Sequence, residues 1–540
     1  MIGAALYAQE GKENAVVNVE NDYNPVLVNV KKKKTAPKEE KQSRTAPIEL
    51  KFSDQGNPFD GFTSERRVRD LLPKQEGTYN GYARLGAGTG NWVDLKAAYK
   101  FKIDKDSELK ALASLDGYNT GVDGLFEDYD WRSRIFRTLL DAEYTRRFGS
   151  FTLNMTGSLN REVFNYQDLV GFPGTTNKQG ITGLKAGADI ASNLAGSFSY
   201  KAHAGMVYNH RAYSAGLDKG IGEMGMNLGG TIGFELPGEV FRNITADIDA
   251  NFYFYSSRMN DATSKYHNVS YFDINPYADM VYNDWKIKAG LKMNFRTKGA
   301  PAVAIAPNVT IEGMLADKIG LYAEIKGGRT HNGFEAMNAI TPYWNYDASY
   351  SQQLEPTYKV VDMLLSARFQ HFEPVTLEAY TGFVYTKDDL MQVVGNMYND
   401  IIYVELAQQD TRNFFVGGKA KYDSKGWLSL SGDLRFNSWN CKYDDLLIMK
   451  PRITMDLNAE ARPMKGLAVK VGYNFTHYTS GETVGRLKNK NDLYARASYQ
   501  INDRFGAFVQ GNNLLNNSYY DYAGYETRGI RGMIGATMNF

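Results

Sequence analysis

The chain has 540 residues, with 62 Lys and Arg against 61 Asp and Glu. The net charge of +1 gives no electrostatic footprint for a nucleic-acid partner, and the single cysteine, Cys441, excludes an intrachain disulfide framework. Aromatic residues make up 13%, with 52 Gly and only 15 Pro, a balance that suits long strands, tight turns and interfacial aromatic girdles rather than a string of soluble domains.

Residues 1–8, Met1-Ile2-Gly3-Ala4-Ala5-Leu6-Tyr7-Ala8, read as the end of a signal peptide with cleavage after Ala8. Residues 9–76 form a second segment, charged around Lys31-Lys32-Lys33-Lys34 and poor in apolar residues, and read as a disordered periplasmic tail. Two β-prone pieces lie within it, 15–19 and 25–30; each could add a strand to a partner's sheet edge or stay as coil.

From residue 77 to the end, period-2 alternation recurs. Ile244, Ala246, Ile248, Ala250, Phe252 and Phe254 alternate with Thr245, Asp247, Asp249, Asn251, Tyr253 and Tyr255. Leu428, Leu430, Leu434 and Phe436 alternate with residues that include Asp433 and Arg435, and Ile453, Met455 and Leu457 alternate with residues that include Asp456. The pattern holds again around Arg496, and in the last strand Ile530, Ile534, Ala536, Met538 and Phe540 share one face. Such stretches are long enough for a tilted strand to cross a bilayer, which takes roughly 9–11 residues. No run of 18 apolar residues is present, and the mean hydropathy is −0.45, as expected when only alternate residues face lipid.

Alternation alone fits a β-sandwich as well as a membrane barrel; the connections separate them. Short turns fall at 104–105, 148–150, 192–193, 237–238, 283–284, 317–318, 373–374, 424–426, 464–466 and 502–503. The intervening connections are mostly longer: 117–131, 162–179, 209–224, 257–267, 329–357, 386–410, 480–490 and 514–527. Short turns on one side and long loops on the other are the pattern of outer-membrane barrels. Strands on both sides of the ten turns, a first strand near 77–86 and a last strand at 528–540 predict an all-β, antiparallel transmembrane barrel of about 22 strands, with both termini periplasmic. The loops 297–302 and 442–446 are short, and 386–410 has room for extra pairing.

The C-terminal segment carries the most specific pattern. Gly511-Asn512-Asn513-Leu514-Leu515-Asn516-Asn517-Ser518-Tyr519-Tyr520 is followed by Tyr522-Ala523-Gly524-Tyr525 and a final strand ending in Phe540. This resembles the closing hairpin of TonB-dependent receptors, nearest to those of Bacteroidetes. The resemblance implies a 22-stranded barrel, and its specific motifs are confined to residues 505–540. Two departures stand out. Thr527-Arg528-Gly529-Ile530-Arg531 replaces the family's proline-glycine-arginine step, and the segment 9–76 is shorter than the family's folded plug, so the expectation is a barrel without that plug. Residues 15–19 are at best a faint echo of the motif that contacts TonB. A barrel this wide would be leaky if empty, so its lumen is expected to be occluded by inward-folded loops, by the tail or by another protein.

No catalytic constellation emerges. The histidines, His203, His210, His267, His331, His371 and His477, form no metal-ligating spacing, and there is no nucleophile elbow or phosphate loop. The reading is of a non-enzyme without cofactor or metal; the acidic stretches 116–130 and 388–389 suit solvated loops better than calcium sites, and Cys441 reads as inert. The better candidates for ligand or partner contact are the loop aromatics Tyr343, Trp344, Tyr346, Tyr519, Tyr520 and Tyr522, which alternatively belong to an interfacial girdle. Asp247, Asp249, Asp433, Arg435, Asp456 and Arg496 are expected to face the lumen. The expected setting is the cell outer membrane and its lipids. The expected function is binding or passage of a ligand; the alternative is a scaffold subunit of an export, insertion or lipoprotein assembly, joined to a lipoprotein or second barrel at its outer loops or tail.

Overall fold

The computed structural model describes residues 79–540 except 124–129, 169–177, 193–196, 213–219, 257–265, 299–301, 317, 346–352, 373, 395–400, 425 and 482–484. The expected signal-peptide remnant 1–8, the tail 9–76 and Tyr346 lie outside the described residues.

Twenty-two antiparallel strands join into one closed sheet. Gly81–Gly88 pairs on one edge with Trp92–Lys102 and on the other with the last strand, Arg531–Asn539, so the ring has no free edge. Closure satisfies every ladder group without water, the condition for a sheet to live in lipid. The C-terminal residue takes part: the Phe540 carbonyl accepts from the backbone N–H groups of Asn80 and Gly81, at 3.0 and 2.7 Å, and its ring stacks on Tyr99. Gly81 lets the ring lie flat there, since a Cβ would stand 2.5 Å from the Phe540 ring and the ring would have to shift.

The alternation read from the sequence is the alternation of the wall. Ile244, Ile248 and Phe254 are exposed on the outside, and neighbouring strands continue the apolar surface with Leu228, Ile232, Phe234 and Phe272. Residues between them point the other way and hydrogen-bond to one another across strands. An apolar outer surface on a closed barrel with a polar interior places the protein in the outer membrane, its outer face against lipid.

Among the described residues, the short turns at 104–105, 148–150, 237–238, 283–284, 464–466 and 502–503 sit where the sequence puts them, at one end of the barrel; those at 192–193, 317–318, 373–374 and 424–426 lie partly outside the described residues. Two expectations change, and the room for pairing left in a third stretch is filled. The first strand is Gly81–Gly88 rather than 77–86, and it turns directly into the second through Thr89-Gly90-Asn91, with Gly90 and Asn91 in the left-handed region at φ 66° and 52°. The expected loop 117–131 is mostly ladder, since Ser107–Asp123 pairs with Asp130–Arg147. The extra pairing that 386–410 had room for is present, as strand on both sides in Val375–Val394 and Val404–Asp423, each 20 residues long. Above the bilayer a strand needs no lipid-facing apolar set, so the ladder continues where the alternation stops.

Candidate functional site

The face of the wall opposite the exposed apolar residues carries hydrogen-bonded rows that run from strand to strand. In one row the Thr231 hydroxyl and the Asn275 amide both donate to Asp247, at 2.8 Å each, and the Asn308 amide donates to Asn275. In another, Asn227 donates to Asn251, Asn251 and Asn294 donate to Asp273, and Arg329 donates to Asn294. Asp249 pairs with His203 at 2.8 Å. Farther round, the Tyr380 hydroxyl donates to Asp433 at 2.6 Å, Asp456 stands across the ladder from Asp433, and Arg435 donates to Asn437 and lies over the Phe415 ring. Arg496 lies over the Phe508 ring. Shared carboxylates of this kind fix side chains that would otherwise be mobile in a wet lumen.

At the long-loop end, segments from opposite walls meet. The fifth barrel strand, Phe151–Asn165, and the sixteenth, Val404–Asp423, stand eleven strands apart in a ring of twenty-two. Chain just beyond the fifth strand nevertheless pairs with chain just before the sixteenth, Gln167 with Ile402. Around this bridge Phe164, Tyr166, Tyr343, Ile402, Val404, Ile448, Met449 and Tyr525 form one buried apolar cluster drawn from five connections or strand ends. Tyr525 donates its hydroxyl to the Ile402 carbonyl, and Val404 N–H donates to the Tyr343 carbonyl at 2.9 Å. Among the described residues, inward-folded loops therefore form a cap across the end of the barrel away from the short turns.

Arg211, the last residue of Phe198–Arg211, anchors the cap. Its side chain is 0% exposed; it donates to the Tyr166 hydroxyl at 2.7 Å and the Pro342 carbonyl at 2.9 Å, and Trp344 and Phe164 present ring faces to it at 4.4 and 5.4 Å. The Tyr166 hydroxyl donates onward to the Trp344 carbonyl. Removing a guanidinium from water costs several kcal/mol, and each ring face returns roughly 0.5–2 kcal/mol, so the loop holding Pro342 and Trp344 sits against this arginine because the rings, the Tyr166 hydroxyl and the Pro342 carbonyl solvate it.

The same loop has a second attachment. Its short helix, Phe334–Ile340, has no side-chain cap of its own; instead the buried Glu223 carboxylate accepts the Phe334 N–H at 3.1 and 3.2 Å. His331 lies 3.7 Å from Glu223, stacks on Tyr253, and hydrogen-bonds to the hydroxyls of Tyr255 and Tyr271 at 3.1 Å each.

The loop aromatics chosen from the sequence fall mostly inside this cap. Tyr343, Trp344 and Tyr519 are buried, while Tyr520 and Tyr522 are half-buried. Burial holds the Tyr343 and Tyr525 phenols well above the usual tyrosine range. Sequence reasoning did not single out Arg211, Glu223, Phe164 or Tyr166 and took His331 as scattered, since the residues each one meets are far away in the chain. The pair Asp388-Asp389 serves the fold: Asp389 holds Lys450 at 2.7 Å and Thr411 at 2.8 Å. Among the described residues no group of three or more His, Cys, Asp or Glu is placed to hold a metal ion.

With this geometry in view, the solved structures it resembles are informative. The siderophore receptor PirA from Acinetobacter baumannii has a TM-score of 0.65 at 11% identity, over 87% of this chain and 81% of that one. The chain shares the fold of TonB-dependent outer-membrane receptors. The iron transporter FrpB from Neisseria meningitidis gives a TM-score of 0.64 at 11% identity over 88% and 83%, and the ferric enterobactin receptor of Pseudomonas aeruginosa gives 0.63 at 10% over 86% and 82%. At such identities the likeness is one of fold. No family model and no curated protein sequence matches the chain.

Proposed function

We propose that this barrel is a gated outer-membrane receptor, binding a small extracellular ligand at its outer mouth and admitting it to the lumen when the cap moves. The observation that carries the reading is the meeting of loops from opposite walls, Gln167 with Ile402, around the Tyr343 and Tyr525 rings. A scaffold that only positions partners has no need of a closed mouth. The solved structures with this fold are named as receptors for siderophores or transporters of iron and copper, which supports a ligand of that size. In this reading Tyr343, Trp344, Tyr519, Tyr520 and Tyr522 act as the gate, and the lumen rows at Asp247, Asp249, Asp433, Arg435, Asp456 and Arg496 line the path below it.

Single-channel recording in planar bilayers tests this. The expected result is a barrel that is closed at rest and conducts in large steps once the cap is weakened by Tyr343→Ala. A barrel with a large open conductance at rest would overturn the gate. Stoichiometric co-purification of a lipoprotein or second barrel, with no change of conductance in the cap variant, would favour the scaffold instead.

A further inference from the structure

The connection that leads into the closing strand carries two arginines three residues apart. Arg528 and Arg531 are 7% and 6% exposed. Arg531 lies over the Trp92 ring and keeps Nε and Nη1 buried with no hydrogen-bond partner. The Arg528 guanidinium lies against the Tyr118 ring and makes no hydrogen bond or ion pair among the described residues. Its placement is built in. Asn513, fully buried and in the left-handed region at φ 49°, donates its amide to the carbonyls of Arg528 at 2.9 Å and Asn517 at 2.8 Å and accepts the Asn517 N–H. The Asn-rich motif of the sequence is thus the clamp that sets the arginine in place.

The Arg528 side chain lines a small cavity walled by Trp92, Asp116, Tyr118, Arg137, Asp521 and Tyr522. Of its two cations, Arg137 is committed to Glu162 at 3.0 Å. Arg528 is left as the uncommitted one, with the unpaired Arg531 close behind Trp92. Two buried guanidinium groups without counter-ions are costly, and an oxyanion is the partner whose geometry a guanidinium fork matches. The opposite side of the cavity carries two carboxylates. Asp116 receives only a long hydrogen bond, 3.5 Å, from the Trp92 indole, so it keeps acceptor capacity. Carboxylates repel an oxyanion that has no hydrogen but accept hydrogen bonds from one that has. About 30 Å³ is open to the centres of water molecules; at roughly 10–15 Å³ for one water, that is space for one compact ion.

We propose that this cavity is a binding site for inorganic phosphate in its protonated forms, with Arg528 holding the charged oxygens and Asp116 and Asp521 accepting from the hydroxyl groups. The ion would neutralise the arginine pair beneath the cap. The site stands apart from the gated-receptor reading, since a barrel that passes nothing can still hold phosphate here.

Isothermal titration of inorganic phosphate into the full-length protein in detergent, with sulfate at the same ionic strength as comparator, tests it. The expected result is saturable one-site binding of phosphate, at least about tenfold tighter than sulfate. Arg528→Gln weakens phosphate binding by at least about tenfold, the loss of one charge-assisted hydrogen bond. Asp521→Asn, at the half-exposed rim, narrows the preference for phosphate over sulfate and serves as the second variant if Arg528→Gln fails to give the heat-modifiable gel band of a folded barrel. Absence of saturable phosphate binding, equal sulfate binding, or unchanged affinities in folded variants would overturn the assignment.

Discussion

The rings of Tyr343 and Tyr525 stack with centroids 3.7 Å apart and planes 12° from parallel, joining the loop after Ile319–Thr330 to the loop before Arg531–Asn539. Phe164 meets the same Tyr343 edge-on at 5.4 Å, and Trp131 meets Tyr525 edge-on at 5.7 Å. Two loops and two strand ends are thus locked through one pair of rings, which makes that pair the natural place to unlock the cap.

Tyr343→Ala and Tyr525→Ala are each expected to raise the open probability of the barrel in planar bilayers. The effect of the double variant should fall short of the sum of the two single changes. An aromatic pair contributes about 0.5–1.5 kcal/mol beyond burial, so the coupling in a double-mutant cycle read from open probability should fall in that range. Strict additivity would mean that the rings act separately.

Glu223→Ala removes the acceptor for Phe334 N–H and leaves the helix Phe334–Ile340 without a cap. Loss of a hydrogen bond to a charged group costs roughly 1.5–3 kcal/mol. The expected outcome is faster proteolysis of the loop at 331–356 with an unchanged melting temperature for the barrel. A matching fall in barrel stability would show that Glu223 supports the wall rather than the loop.

Alkali should loosen the cap before the barrel. Burial, with Glu526 adding to it, pushes the Tyr520 phenol up to about 12, and burial holds Tyr343 and Tyr525 higher still. A folded-state value above the unfolded one of about 10 means that the neutral phenols contribute their full stability below pH ~10. That contribution is lost as pH rises through the folded values. Phenolate absorbance near 295 nm, followed together with conductance, should show opening above pH ~10 while the heat-modifiable band persists. Opening at neutral pH would contradict this.

Gly81→Val tests closure. The added side chain meets the Phe540 ring, and ring and strand must separate to admit it. Overpacking typically costs about 1–3 kcal/mol. The expected result is a slower appearance of the folded gel band during refolding into detergent, relieved in part when Phe540→Ala is combined with it.

The ring of strands was legible because its cause is local. Ile244, Asp247 and Ile248 declare an inside and an outside within a few residues, and turns such as Asn283-Asp284 declare where the chain reverses; Asn283 takes φ 51° there, as a tight turn asks. Counting those signals gives the strand number and hence the outer membrane. The ladder at 117–123 was not legible, because above the bilayer pairing no longer requires an apolar face, and for 386–394 the length of the connection showed only that there was room for pairing. The cap was not legible for a deeper reason. Arg211 is the final residue of a polar strand end until Trp344 and Tyr166 arrive from other connections, and Glu223 is an ordinary carboxylate until Phe334 N–H is brought to it. Local periodicity records which face of a strand meets lipid. Which loops meet across the lumen depends on where eleven strands of closed ring carry them, and only the tertiary structure decides that.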